Sequence, residues 1–269
     1  MTDFTTLMPI RTKGDQPPLF CVHGQPLKTA MTTKVKRPVY GLSHVYYASF
    51  QDKAADTIEE LAAEYLADMR KVCATGPYYL LGFSAGAMVA YEIARQLQAA
   101  GQTVAHMVLV EPSFVAENQA TSGRFAELLE TYIGKQKLNL AYFVHLPKRL
   151  LRSAKARIRN LVNRAYVFLL LKTGRELPED LRWIGYLKSL GPAINAYVYA
   201  PLRCRSDLIY GDLDESSRQI YAQFWTDMLG KSTRIQFVEG VRKHSDFMLE
   251  PHMSNISKLL DDDLLQTGT

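Results

Sequence analysis

One pentapeptide in the 269-residue chain has the residue types and spacing for nucleophilic chemistry, Gly82-Phe83-Ser84-Ala85-Gly86. It stands between the apolar run Tyr78-Tyr79-Leu80-Leu81 and a helical pattern from Gly86 to Ala99 that Gly101 closes. The spacing predicts a strand, a turn and a helix, with the turn so tight that Ser84 takes strained φ/ψ. Small residues two positions to either side keep strand and helix from colliding. A serine held this way presents Oγ at a helix N-terminus. The backbone N–H of Ala85 and the helix dipole then face the oxyanion that forms when a carbonyl is attacked.

Serine is a weak nucleophile near neutrality, so a base must lie within hydrogen-bond reach. Of the six histidines, His244 follows the last predicted strand in Gly240-Val241-Arg242-Lys243-His244, the position for a base in the chain order serine, acid, histidine. His252 falls at a helical stretch, and His44, His106 and His145 have no matching context and read as satisfied surface or core histidines. His23 ends the first predicted strand and is expected to shape the loop that supplies a second oxyanion donor. Two acids compete. Asp214, in Gly211-Asp212-Leu213-Asp214 after a predicted strand, is favoured by chain order, and Glu111, at the end of the strand after the nucleophile helix, is the alternative.

The elements that must position these groups alternate. Leu19 to Val22, Pro38 to Leu42, Tyr78 to Leu81, Val104 to Val110, Asp207 to Tyr210 and Arg234 to Val238 read as short buried strands. Thr57 and Glu60 have capping-box spacing ahead of Ile58, Leu61, Ala62, Tyr65, Leu66, Met69 and Val72 on one helical face. Ser254 to Leu265 reads as a closing helix. Strands alternating with helices predict an α/β fold with a mostly parallel central sheet flanked by helices, and the serine turn with the chain order serine, acid, histidine points within that class to the α/β-hydrolase fold. From about 114 to 205 the pattern turns helical and rich in Leu, Tyr and Arg, which reads as a helical lid inserted into a single domain spanning 1–269.

Composition narrows the function classes. The chain is 47% hydrophobic and 22% charged, with 16 Gly and 12 Pro spread along it, which excludes collagenous and disordered classes. No apolar run approaches the roughly 20 residues of a membrane span, and the N-terminus lacks a long apolar signal core. The expected address is the cytosol. Cys21, Cys73 and Cys204 show no metal or redox spacing and read as small apolar residues. The net charge of +5 conceals an asymmetry, since residues 131–175 hold eleven Lys or Arg and no Asp or Glu. Such a segment normally reads as a solvated face, and its sign also suits an acidic partner, an anionic membrane surface or nucleic acid.

Beyond the pentapeptide, motifs spread along the chain resemble the thioesterase family of fatty-acid, polyketide and nonribosomal-peptide synthesis. Pro18 to His23 is similar to its first-strand signature, and Ile58 to Tyr65 to its following helix. Gly76-Pro77-Tyr78 through Gly86, continued by Val89-Ala90-Tyr91-Glu92-Ile93-Ala94, resembles its core motif. His244 with Met248-Leu249 resembles its terminal histidine motif. The resemblance covers 17–112, recurs over about 195–252, and is absent from the insertion. The chain departs from the family where Gly-Gly usually follows the first strand. It has His23-Gly24-Gln25-Pro26-Leu27, so the second oxyanion donor falls by position on Gln25. Members fused to synthase modules generally carry Asp at the position of Glu111, and free-standing members use the later position of Asp214.

The resemblance implies release of an acyl, peptidyl or polyketide chain from the phosphopantetheine thioester of a carrier protein, through an acyl-Ser84 intermediate. Neither metal nor bound cofactor is implied. Basic residues 148–164 (Lys148, Arg149, Arg152, Lys155, Arg157, Arg159 and Arg164) would recruit the acidic carrier. Nucleic acid is not an expected partner, since aromatic and Leu residues interleave the basic run and no recognition motif accompanies it. A general carboxylesterase or lipase is the enzymatic alternative, and a binding module on a dead scaffold the non-enzymatic one.

Overall fold

The computed structural model describes residues 4–23, 26–34, 37–44, 55–112, 186, 190–241 and 244–261, and the side chains of 26–28, 244 and 245 lie outside that description. The chain divides into two compact units. The first comprises Met1–Tyr47, Ala54–Phe114 and Leu190–Thr269, and the second Ala48–Lys53 and Val115–Ser189. Nearly all described residues belong to the first. Most of the expected lid, with the whole basic run 148–164, lies outside the described residues; a helical stretch at 190–196 is described.

The elements of the first unit are β1 (Leu7–Arg11), β2 (Leu19–Val22), α1 (Pro26–Thr32), β3 (Val39–Leu42), α2 (Ile58–Val72), β4 (Tyr78–Phe83), α3 (Ala85–Ala99) and β5 (Val104–Val110). After the second unit come β6 (Ser206–Tyr210), α4 (Glu215–Leu229), β7 (Arg234–Phe237), a 3₁₀ turn (His244–Met248) and α5 (His252–Asp261). The seven strands form one sheet in the order β1-β3-β2-β4-β5-β6-β7. β1 runs antiparallel to β3, and every other described pairing is parallel. The α/β class with a mostly parallel sheet is the observed one.

The central strands read as continuous apolar runs because both faces are covered. On one face Leu19, Cys21, Tyr79, Leu81, Val108, Val110 and Ile209 pack with Phe247, Met253, Ile256 and Leu260. On the other, α2 packs on α3. The capping box of α2 forms as its spacing predicts, with Glu60 N donating to Thr57 Oγ1 at 3.1 Å and Thr57 N donating to Glu60 Oε2 at 3.3 Å. Three elements were not anticipated. β1 lies in an N-terminal stretch where no strand is predicted, and it is anchored by the buried Asp68 carboxylate, which accepts from the Thr5, Thr6 and Leu7 backbone N–H groups at 2.9, 2.7 and 3.2 Å. α1 and α4 have weak apolar periodicity; of α4, Trp225 and Leu229 alone are buried.

Candidate active site

Three adjacent strands of the sheet end in the same unusual way. Among the described residues, those other than glycine with positive φ are His23 (54°), Ser84 (56°) and Glu111 (48°), and each immediately follows or closes β2, β4 or β5. Positive φ strains an L-residue and persists only where surrounding structure imposes it, typically at functional sites. Each is pinned by its backbone N–H. Ser84 N donates to Val110 O at 2.8 Å, Glu111 N to Ile209 O at 2.8 Å, and His23 N to Leu42 O at 3.3 Å. These are the carboxyl ends of parallel strands, where open α/β sheets form their binding crevices.

Ser84 occupies the N-cap position of α3 at φ 56° and ψ −124°, and its side chain makes no capping hydrogen bond. Its hydroxyl is therefore not spent on the helix. The two glycines of the pentapeptide are required by contact. A Cβ on Gly82 would stand 2.5 Å from Ala87 Cα, and one on Gly86 would run into Val22 O and stand 2.6 Å from His23 Cβ. Ala85 is the first residue of α3, and the opening N–H groups of a helix have no acceptor within it. Gln25, the expected second donor, lies outside the described residues.

Glu111 and Asp214 occupy different surroundings. Glu111 is half-buried, and its Oε1 accepts from Gly211 N at 3.2 Å. A Cβ on Gly211 would stand 3.0 Å from that oxygen and 2.7 Å from Val241 O. Asp212 N also donates to Val241 O at 2.9 Å. The Glu111 carboxylate thus adjoins the turn after β6 to which the segment leading to His244 is tied. His244 opens the 3₁₀ turn, and its backbone alone is described. Asp214 is the N-cap of α4. Its Oδ1 accepts from Ser216 Oγ at 2.6 Å and Ser217 N at 2.9 Å, and its Oδ2 from Ser217 Oγ at 2.9 Å. Those bonds, the Ser216 hydroxyl first, hold this exposed carboxyl down at about 2.

The remaining histidines sort as their contexts suggested. His106 is buried with Nε2 2.6 Å from Asp207 Oδ2, His44 pairs with Glu64 at 2.8 Å, and His252 opens α5. His145 lies outside the described residues. Tyr65 was read as one position of an apolar helical face, yet its hydroxyl lies 2.8 Å from His23 Nε2. The signal was present in its chemistry, since a buried tyrosine hydroxyl nearly always has a partner. Among the described residues no helix is long and apolar enough to cross a membrane.

Comparison with known proteins bears on the same edge of the sheet. Residues 29–241 match the family model of the thioesterase domain. Over 118 residues, 41% of this chain, the sequence is 40% identical to a probable non-canonical nonribosomal peptide synthetase, CymA, of Salinispora arenicola. Over 113 residues it is 37% identical to a dimodular nonribosomal peptide synthase of Bacillus subtilis. The matches span 2% and 5% of those much longer proteins, respectively. Among solved structures, the NocB thioesterase domain aligns over 96% of this chain and 99% of its own, at a TM-score of 0.60 and 19% identity in a covalent complex with a fluorophosphonate nocardicin G analog. The Vlm2 thioesterase domain aligns over 96% and 97%, at a TM-score of 0.58 and 16% identity. These two likenesses establish the fold. The family match runs through the strained serine turn, the Glu111 edge and strands β3 to β7, and by it the chain belongs to the thioesterase domain family, as an enzyme that acts on thioester bonds.

Proposed function

We propose that this thioesterase releases an acyl, peptidyl or polyketide chain from a carrier-protein phosphopantetheine thioester through an acyl-Ser84 intermediate. The observation that carries the reading is Ser84 at φ 56° on the strand-turn-helix, its hydroxyl unused by the helix it caps. His244 takes the Ser84 hydroxyl proton as Oγ attacks the thioester carbonyl. The oxyanion is held by the N–H of Ala85 and, by position, of Gln25. The C–S bond then breaks, and His244 returns the proton to the departing thiol. Water, or a hydroxyl or amine of the chain itself, next gives its proton to His244 and attacks the acyl-serine, releasing an acid, lactone or lactam and restoring Ser84. The kinship with synthetases of peptides, and with polyketide synthase PksR at 31% identity over 122 residues, supports the carrier-bound substrate.

For the acid that orients His244, the geometry favours Glu111 over Asp214. The Asp214 oxygens are both engaged by Ser216 and Ser217 of the same helix turn, whereas the Glu111 carboxylate accepts from Gly211 in the turn to which the segment leading to His244 is tied. Intact-protein mass spectrometry with acyl-loaded carrier proteins tests the whole reading. Wild-type protein should gain the acyl mass on Ser84, and Ser84→Ala should not, with turnover lower by several powers of ten. Near wild-type turnover by folded Ser84→Ala would overturn it.

A further inference from the structure

The strained end of β2 is tied to a part of the molecule that takes no part in the chemistry described above. His23 Nε2 meets the hydroxyl of Tyr65 at 2.8 Å, and Tyr65 is a fully buried residue of α2. The two rings stand edge to face at 5.8 Å, and the ring of His44 lies on Tyr65 at 5.4 Å. His44 is held in turn by Glu64 at 2.8 Å. Both histidine rings therefore pack against the Tyr65 ring. Burial first, and then the neighbouring His44, hold His23 down at about 3, so its imidazole is neutral in the working range.

What lies on the other side of His23 gives this bond a use. The first turn of α3 touches the end of β2 so closely that Gly86 has no room for a Cβ, with Val22 O and His23 Cβ in the way. Ala85, whose N–H is the described donor of the oxyanion site, precedes Gly86. Gly24 and Gln25, the expected source of the second donor, follow His23 in sequence. His23 thus touches the turn that carries the first donor and precedes the expected second donor in sequence, at a φ of 54° that an unconstrained chain would leave.

We propose that the hydrogen bond between Tyr65 and His23 positions the oxyanion site, by holding the end of β2 in its strained form against the first turn of α3. The proposal rests on the acyl-Ser84 reading. His23 and Tyr65 are positioning residues, neither touching the reacting atoms. Oxyanion stabilisation depends on donors set before reaction at the place where charge develops, and misplacement by about 1 Å can lower rate by about 10²-fold.

Tyr65→Phe removes the hydroxyl and leaves the ring contacts with His23 and His44. His23→Asn keeps a residue tolerant of positive φ and is too short to reach Tyr65. Two rates are read at a temperature where circular dichroism shows every variant folded: turnover of an acyl thioester, and covalent labelling of Ser84 by a fluorophosphonate. Each variant should lose about 10- to 100-fold in kcat and in labelling rate, with KM within about twofold. The double variant should be no worse than the poorer single one, since both break one interaction. The proposal is overturned if kcat and labelling stay within about twofold of wild type, if the loss falls on KM, or if the two losses multiply. Should Tyr65→Phe fail to fold, His23→Asn carries the test. Failure of wild-type protein to label at Ser84, against a Ser84→Ala control, would instead overturn the acyl-serine reading beneath it.

Discussion

Two regions of the sheet bring a carboxylate together with histidine chemistry, and they differ in almost every physical respect. In the first, His106 on β5 meets Asp207 on β6 at 2.6 Å with both side chains fully buried, and Arg234 donates to both Asp207 oxygens at 2.6 and 2.8 Å. In the second, Glu111 ends β5 at positive φ, half-buried, next to the strained Ser84 and near the segment that bears His244. His106 and Glu111 lie five positions apart along the chain, about 16 Å at roughly 3.3 Å per residue of strand. The pair nearer an ideal histidine–carboxylate bond lies inside regular strand, on β5 and β6, where Arg234 engages both oxygens of the carboxylate. The looser arrangement lies where three strands stop. A histidine paired with an acid therefore says little by itself; strain at the strand ends, imposed by crowded glycines and pinned N–H groups, distinguishes the edge that can do chemistry.

The largest expected effect separates the two regions by activity. Glu111→Gln should keep the shape of the side chain, remove the charge that stabilises an imidazolium on His244, and lower kcat by about 10³- to 10⁴-fold. Its thermal midpoint should stay near wild type. Steady-state turnover of a small acyl thioester checks this, and a loss under about tenfold would remove Glu111 from the role of acid.

Asp207→Ala should do the converse. Removing the carboxylate leaves the buried His106 imidazole without this partner, and the expected loss is about 1–3 kcal/mol of folding stability, measured by urea unfolding, with kcat unchanged where the protein is folded. Burial alone would raise the Asp207 carboxyl, but the hydrogen bonds from His106 and then Arg234 prevail and hold it below the ordinary carboxylate value. Its stabilisation is therefore complete above the unfolded value, roughly pH 4, and is lost as the pH falls through the lower folded value. The stability gap between wild type and Asp207→Ala should narrow in acid.

Gly86→Ala should couple the two quantities, because the residue belongs to both the packing and the site. The added methyl meets Val22 O, a backbone atom that cannot swing away, and His23 Cβ at 2.6 Å. Overpacking of this kind lowers stability by about 1–3 kcal/mol. It should also displace the first turn of α3 and slow acylation, read as a reduced labelling rate of Ser84. A stable variant with normal labelling would show that this contact is loose.

The sequence revealed the central sheet well, and for a reason visible in β2, β4, β5 and β6. Strands buried on both faces must be apolar throughout, and a run such as Tyr78 to Leu81 between Gly-Pro and a glycine turn has few other readings. β1 escaped because its pattern reflects an edge strand, held by the distant carboxylate of Asp68, 61 residues on from Leu7. The serine turn was legible because its constraint is local, carried by two glycines and one helix start. The acid was not, since both Glu111 and Asp214 follow strands and both precede His244. What separates them is hydrogen bonding in space, a cap in one case and a neighbouring loop in the other, and chain order carries no trace of it. Tyr65 shows the same limit, its helical face predicted and its bond to His23 unseen.

The smallest effect is also the sharpest test of that distinction. Asp214→Asn keeps a good N-cap, because an amide oxygen accepts from helix N–H groups nearly as well as a carboxylate, while it removes the charge a triad acid needs. If Asp214 is a cap, Asn should leave both kcat and thermal midpoint near wild type, and Ala should lower the midpoint measurably while kcat stays within a few-fold. The cap also has a pH signature. Asp214 is held at about 2, below its ordinary value, so its contribution is complete above the unfolded value, about pH 4, and fades as the pH falls toward 2. The midpoints of wild type and Asp214→Ala should converge over that interval. A loss of about 10³-fold in kcat on Asp214→Asn at neutral pH, with the fold intact, would instead mean that this carboxylate leaves its cap to orient His244 during turnover, and Glu111 would be reduced to lining the crevice.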